Sequence, residues 1–168
     1  MLSRFLELLS PLKLFLEEKG KDYPLLHDPQ WISDLGFLVD ILQHLNKLNV
    51  DLQGKLKLLP DLVHSIFAFV NKLKLFQIHL LKSEFMHFPS LVKACGEADV
   101  TEERAAYYAI LVVKLQQNFE DRFYSLKQKR PHITFLISPF TTESDCLKAP
   151  LVADEPASQM EMIETLRG

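Results

Sequence analysis

Asp28-Pro29-Gln30-Trp31-Ile32-Ser33-Asp34-Leu35-Gly36-Phe37-Leu38-Val39-Asp40-Ile41-Leu42-Gln43-His44-Leu45-Asn46-Lys47-Leu48-Asn49-Val50-Asp51-Leu52 is the stretch on which the fold turns. Aspartate accepts hydrogen bonds from the free N–H groups of a helix start, and proline is tolerated at the first helical position, where no N–H is needed. Behind that start, Trp31, Ile32, Leu35, Leu38, Val39, Leu42, Leu45, Leu48 and Leu52 recur at helical spacing. This is the most regular stripe in the chain, and Leu38 at its centre is expected to be buried. Gly54 should end the helix.

The flanking segments have the same character. Phe5, Leu8, Leu9, Leu12, Phe15 and Leu16 place a helix over about Leu2 to Lys19, with a kink or restart at Pro11, Ser10 as its cap, and Gly20 as its stop. Leu59, Leu62, Val63, Ile66, Phe67, Val70, Leu73, Phe76 and Leu80 predict a helix from about Leu58 to Ser83, firm from Pro60-Asp61 onward. A short helix fits Pro89 to Gly96. Asp99-Val100-Thr101-Glu102 reads as a capping box opening one more, carried by Tyr108, Val112, Leu115, Phe119, Phe123 and Leu126.

After Arg130-Pro131 the pattern changes. Ile133-Thr134-Phe135-Leu136-Ile137 is a β-prone run between prolines, and Pro150 and Pro156 punctuate an extended tail with a short helix possible over Ser158 to Leu166. From Glu143 onward Glu143, Asp145, Asp154, Glu155, Glu161 and Glu164 outnumber Lys148 and Arg167, so the tail is acidic. The expected architecture is all-α: a bundle of four to five helices with one short β-prone strand near the C-terminus. The domain spans 1–140 and an acidic, partly disordered tail spans 141–168.

Composition narrows the function. The chain of 168 residues is 48% hydrophobic with only 5 glycines, enough apolar surface for one packed core. Its net charge of -3 leaves no global basic field for nucleic acid. The apolar runs around Ile66–Val70 and Ala109–Val113 are too short to cross a membrane, and the N-terminus, interrupted by Glu7, Glu17 and Glu18, does not read as a signal peptide. Cys95 and Cys146 do not make a disulfide framework. A soluble, intracellular chain is the expectation.

Phe15-Leu16-Glu17-Glu18-Lys19-Gly20-Lys21, the Trp31–Asp40 block, His44-Leu45-Asn46-Lys47-Leu48-Asn49 and Leu52-Gln53-Gly54-Lys55 carry a resemblance. So do Phe69-Val70-Asn71-Lys72-Leu73-Lys74-Leu75, Phe85-Met86-His87-Phe88-Pro89, Pro139-Phe140 and Gln159-Met160-Glu161-Met162-Ile163. In this order the chain resembles the helical insertion region of hAT-superfamily transposases. The nearest set is the domesticated group of BED-type zinc-finger relatives and the transposase-like half of general transcription factor II-I repeat domain-containing proteins. The resemblance implies a helical insertion that interrupts a ribonuclease-H-like core, whose two Asp and one Glu hold divalent metals. No residue of this chain matches those catalytic motifs. Pro11 and Pro60 depart from the family pattern, which has uninterrupted helix there.

The residues themselves favour no catalytic reading. Two-metal chemistry needs converging carboxylates, but Asp34 and Asp40 point different ways on one helix, and Asp51 and Asp61 flank a break. All four read as solvated helix-face acids. The histidines are scattered, and the nearest trio, His79, His87 and Cys95, has no recognised ligand spacing. Neither metal nor cofactor nor small-molecule substrate is expected.

Two surfaces remain as candidates. Phe135, Ile137 and Phe140 on the β-prone run are possible partner contacts, because an apolar strand without a pairing neighbour is a template for another chain. Lys127, Lys129 and Arg130 form a small basic cluster that could contact nucleic acid. The leading expectation is a non-catalytic, transposon-derived protein acting by protein contact, with itself or a longer transposase-derived relative. Family analogy places it in the nucleus, otherwise in the cytoplasm. A residual nucleic-acid-binding module is the alternative.

Overall fold

The computed structural model describes residues 2–54, 57–96 and 100–129. Among them there are six α-helices, one 3-10 turn and no strand: α1 (Leu2–Glu7), α2 (Leu9–Glu18), the turn Pro24–His27, α3 (Pro29–Leu52), α4 (Leu59–Leu81), α5 (Pro89–Cys95) and α6 (Glu102–Arg122). A further helical turn covers 124–129. The all-α reading therefore holds. The β-prone run and the acidic tail lie outside the described residues.

The local chemistry accounts for the boundaries. Asp28 caps α3 through a 2.9 Å bond from the Gln30 N–H, with Pro29 at the first helical position. Asp61 accepts from the Leu58 N–H at 3.0 Å and opens α4. Thr101, rather than Asp99, caps α6 by accepting from the Arg104 N–H. The first segment breaks at Leu8, three residues ahead of Pro11. Pro11 then sits in the first turn of α2, where its missing N–H costs nothing.

Two helices end in the same six-residue closure. At α2 the Gly20 N–H reaches the Glu17 carbonyl and the Lys21 N–H reaches Leu16, with Gly20 at φ +64°. At α4 the Ser83 N–H reaches Leu80 and the Glu84 N–H reaches His79, but the left-handed position is held by Ser83 at φ 56°. A side chain there is strained where glycine is not. Ser83→Gly should therefore raise the unfolding free energy by about 0.5 kcal/mol, after the extra freedom glycine gives the unfolded chain. A urea titration with an unchanged slope and a higher midpoint is the expected result.

Helices α3, α4 and α6 form the body. Phe37 of α3 stacks on Tyr108 of α6 with centroids 4.2 Å apart near the start of both helices, so these two run parallel. Phe69, at the middle of α4, meets Phe119, late in α6, at 5.1 Å, while the later Phe76 meets Phe88, which stacks on Phe37 beside Tyr108 near the start of α6, so α4 runs antiparallel to α6. The core between them contains Phe37, Ile41, Leu48, Phe69, Leu73, Phe76, Leu80, Phe88, Leu91, Tyr108 and Val112. Helix α1 leans on α3 through an edge-to-face contact of Phe5 with Trp31.

The phase of α3 differs from the sequence expectation. Leu38 is 45% exposed, while its neighbour Phe37 is 6% exposed and Asp40 only 1%. The buried face is Ser33, Gly36, Phe37, Asp40, Ile41 and Leu48, joined by Leu35 and Val39. The helix is apolar on more than one side, and periodicity alone does not say which side the long helices cover. Asp40 is thus not a solvated helix-face acid.

Candidate functional site

Asp40 belongs to a joint between helices. Both of its carboxylate oxygens accept from the Ser90 N–H, at 3.0 and 2.9 Å, and one also accepts from the Leu91 N–H at 2.9 Å. A side chain of α3 therefore caps the N-terminus of α5, which has no side-chain cap of its own. Burial pushes the Asp40 carboxyl up from its ordinary value, and the N–H bonds from Leu91 and Ser90 only partly offset that. One turn earlier, Gly36 makes the approach possible. A Cβ at this position would lie 2.8 Å from the Leu91 Cα and 2.9 Å from the Ser90 carbonyl oxygen.

Asp34 serves a second joint. The Tyr108 hydroxyl donates to the Asp34 carboxylate at 2.8 Å, and Arg104 pairs with the same oxygen. The phenol has one proton, given to Asp34, so the Ser33 hydroxyl is the donor in its 2.7 Å bond to Tyr108. Burial is the main cause that raises the Tyr108 hydroxyl to about 12. Burial works against the Arg104 charge, but its bonds to Asp34 and Tyr108 prevail and hold the guanidinium above its ordinary value. Asp34 and Asp40 are each engaged in holding helices together, which is a structural use of both carboxylates.

Three histidine rings line the junction of α3, α4 and the turn before α5. The His44 Nε2 lies 3.1 Å from the His87 carbonyl oxygen and serves as donor to it. The His79 and His87 rings stack at 5.0 Å. The His79 Nδ1 and His87 Nε2 are buried without a hydrogen-bond partner, and the nearest carboxylate oxygen to His79, from Glu84, is 3.6 Å away. Cys95 donates instead to the Leu91 carbonyl. Among the described residues no three His, Cys, Asp or Glu side chains converge as a metal-ligand set.

Burial, followed by the charges of His79, His44 and Lys72, lowers the His87 pKa from its ordinary 6.5. A depressed base stays neutral in the folded protein while the unfolded chain takes up a proton. The stability it contributes is complete above pH 6.5 and is lost as pH falls through the lowered folded value. The urea midpoint should fall between about pH 7 and 5.5, and His87→Phe should flatten that fall.

One surface feature with room for a ligand is a groove of about 780 Å³ between the C-terminal halves of α3 and α6. Leu45, Leu48 and Leu52 form one wall, and Leu115, Phe119 and Phe123 the other. Phe69 of α4 packs behind Phe119. Asn49, Asn118, Asp121 and Arg122 complete the lining with polar groups. An apolar floor with polar groups is the composition of a protein-contact surface. The parallel course of α3 and α6 creates it: the helices are locked together at Asp34, Tyr108 and Phe37, and their far ends leave space. The sequence shows the wall residues as stripe positions but gives no sign that they face a gap.

Of the sequence-derived candidates, Lys127 and Lys129 are exposed on the turn 124–129, just beyond the groove wall at Phe123. Arg130, Phe135, Ile137 and Phe140 lie outside the described residues. No described helix is long and apolar enough to cross a membrane.

Comparison with known proteins agrees with the helical architecture. A family model of the FAM200/GTF2IRD2 helical domain matches residues 1–81. General transcription factor II-I repeat domain-containing protein 2 of Bos taurus is 33% identical over 164 residues, 98% of this chain. Its counterpart in Mus musculus is 34% identical over the same length. The chain spans 16% of the length of each of these relatives. No solved structure matches. This chain belongs to the FAM200/GTF2IRD2-like family, and the part that matches its helical domain takes in α1 to α4.

Proposed function

We propose that the chain is a non-catalytic module descended from a hAT-type transposase and that it works by holding other protein segments, in transcription-related complexes of the nucleus. The observation that carries this reading is the apolar groove between α3 and α6. Supporting it, the two carboxylates on α3 that metal chemistry would need are consumed by helix joints. The relatives' names place them among general transcription factor repeat proteins, which supports the nuclear setting. The partner is a longer transposase-derived relative or a second copy of the chain, and the run bearing Phe135, Ile137 and Phe140 is the complementary apolar element.

Nucleic acid has less support, since the chain carries a net charge of -3 and Glu120 and Asp121 precede Lys127 and Lys129 by only a few positions in the sequence. The test is binding of full-length general transcription factor II-I repeat domain-containing protein 2 to this chain and to its Leu52→Glu/Phe123→Glu variant. Both positions are half-buried on the groove wall. Burying charge there should weaken binding by about tenfold or more. Equal binding, with helix content unchanged, removes the groove from the function.

A further inference from the structure

Leu38, Leu42, Leu45, Asn49 and Leu52 follow one another along α3 at steps of four, three, four and three. That is the spacing of the seam between two paired helices, in which every seventh residue returns to the same side. The core of the molecule does not take it up. Leu38 is 45% and Leu42 40% exposed, Asn49 is exposed, and Leu45 and Leu52 are half-buried. The seam is a ridge about 21 Å long between two hollows. One is the α3/α6 groove. The other, of about 530 Å³, is shared by Leu2 and Ser3 of α1 with Leu42 and Asn46, and Leu45 and Asn49 border both.

We propose that this seam is a self-association surface, on which α3 of one chain lies parallel to α3 of a second copy with Asn49 facing Asn49. Charge selects a second copy. Lys47 and Asp51 fall on the far side of the helix at about 100° per residue. Asp34, on the rim, is neutralised by Arg104. The flanking Asn46 and Gln53 are amides, donor and acceptor at once, so an identical face meets them without repulsion. Asn49 selects the direction. Its carbonyl oxygen accepts from the Gln53 amide at 2.9 Å, which leaves its two amide protons and one lone pair for another amide. In parallel register the two Asn49 amides bond to each other. An antiparallel pair centred on Leu45 would set Asn49 against Leu42 and strand it. A single asparagine in a leucine seam fixes register and partner number at a cost in affinity.

The size of the surface sets the strength. Helix α3 is already held by its own domain, so pairing has little to order. Two heptads one side chain wide nevertheless fall below the roughly 1,200 Å² at which specific interfaces become stable, so the dimer is weak and concentration-dependent. The seam goes beyond the groove reading, since Leu38 and Leu42 do not line the groove.

The experiment is sedimentation equilibrium of the full chain from about 10 μM to about 1 mM, the range suited to a small interface. A monomer–dimer equilibrium is expected. Leu38→Glu/Leu42→Glu should weaken it by about a hundredfold with circular dichroism unchanged, because both positions are exposed. Asn49→Leu should strengthen it by about tenfold and admit species larger than a dimer. In a mixture of isotope-labelled and unlabelled chains, filtered nuclear magnetic resonance contacts should join the Leu42 methyls to Leu38 or Leu45 of the other copy. A wild type that stays monomeric to about 1 mM overturns the proposal. So does a dimer indifferent to the glutamates or to Asn49→Leu, and so do contacts between Leu42 and the Asn49 amide of the other copy. Leu52→Glu/Phe123→Glu tests the groove and the Leu38/Leu42 pair tests the seam, so either reading can fail alone.

Discussion

Asp40→Ala is expected to lower the unfolding free energy by about 2–4 kcal/mol. The substitution removes an acceptor from the Ser90 and Leu91 N–H groups, and Leu91 is fully buried, so water does not readily replace it. Bonds from neutral donors to a charged acceptor each contribute about 1.5–3 kcal/mol net. The desolvation that alanine avoids gives part of this back, which keeps the estimate below the simple sum. Chemical denaturation measures the loss, and exchange at the Ser90 and Leu91 amides locates it.

The pH dependence has a definite sign. The Asp40 carboxyl is raised in the folded protein, so the folded state holds its proton where the unfolded chain, at 3.8, has released it. The part of its contribution that depends on the proton is complete below pH 3.8 and is lost as pH rises through the raised folded value, leaving the N–H bonds to the ionised carboxylate. The gap between wild type and Asp40→Ala should therefore widen as the solution is acidified from neutrality toward 3.8. A gap that narrows on acidification would show that the N–H bonds outweigh burial.

Gly36→Ala should cost about 1–3 kcal/mol, although alanine is the better helix former by about 1 kcal/mol. The added methyl would meet the Leu91 Cα and the Ser90 carbonyl oxygen, both backbone atoms that have no rotamer to yield. Helix α5 would have to retreat, which would lengthen the Asp40 bonds. The losses at positions 36 and 40 should therefore not add: the double variant should fall short of the sum of the single ones. A stabilised Gly36→Ala protein in thermal unfolding would mean that α5 shifts freely.

These two positions show where sequence reading stops. Asp28-Pro29, Pro60-Asp61 and Pro89 each marked a helix start, because caps and prolines act through the residues beside them. The stripe on α4 was read on the correct face, with Val63, Ile66, Val70, Leu73, Phe76 and Leu80 all buried. On α3 the expected stripe is buried at Leu35, Val39 and Leu48 but exposed at Leu38 and Leu42, because those two make as good a stripe as Phe37 and Ile41. Only the arrival of α5, α4 and α6 chooses between them. Asp40 did leave a trace: it is the single charge between Phe37 and Leu42, in a run that is otherwise apolar. A charge in such a setting asks for a partner, but the partner is a backbone amide fifty positions away, and main-chain groups leave no mark in a sequence. The groove is hidden for the same reason, since it is a space between helices set by their relative course.

The lock between Ser33, Asp34 and Tyr108 joins residues 75 and 74 positions apart. Closing a loop of that length is entropically unfavourable until the contacts at its ends form. The α3–α4 and α4–α6 pairs, by contrast, are neighbours or near neighbours along the chain and can assemble with short closures. The order of assembly thus favours α4 as the template on which α3 and α6 are laid, with the Tyr108 hydroxyl completing the closure late. A bond made late in folding weighs mainly on the rate of escape from the native state. The polar lock at one end of the parallel pair thus acts as a latch on the lifetime of the folded molecule.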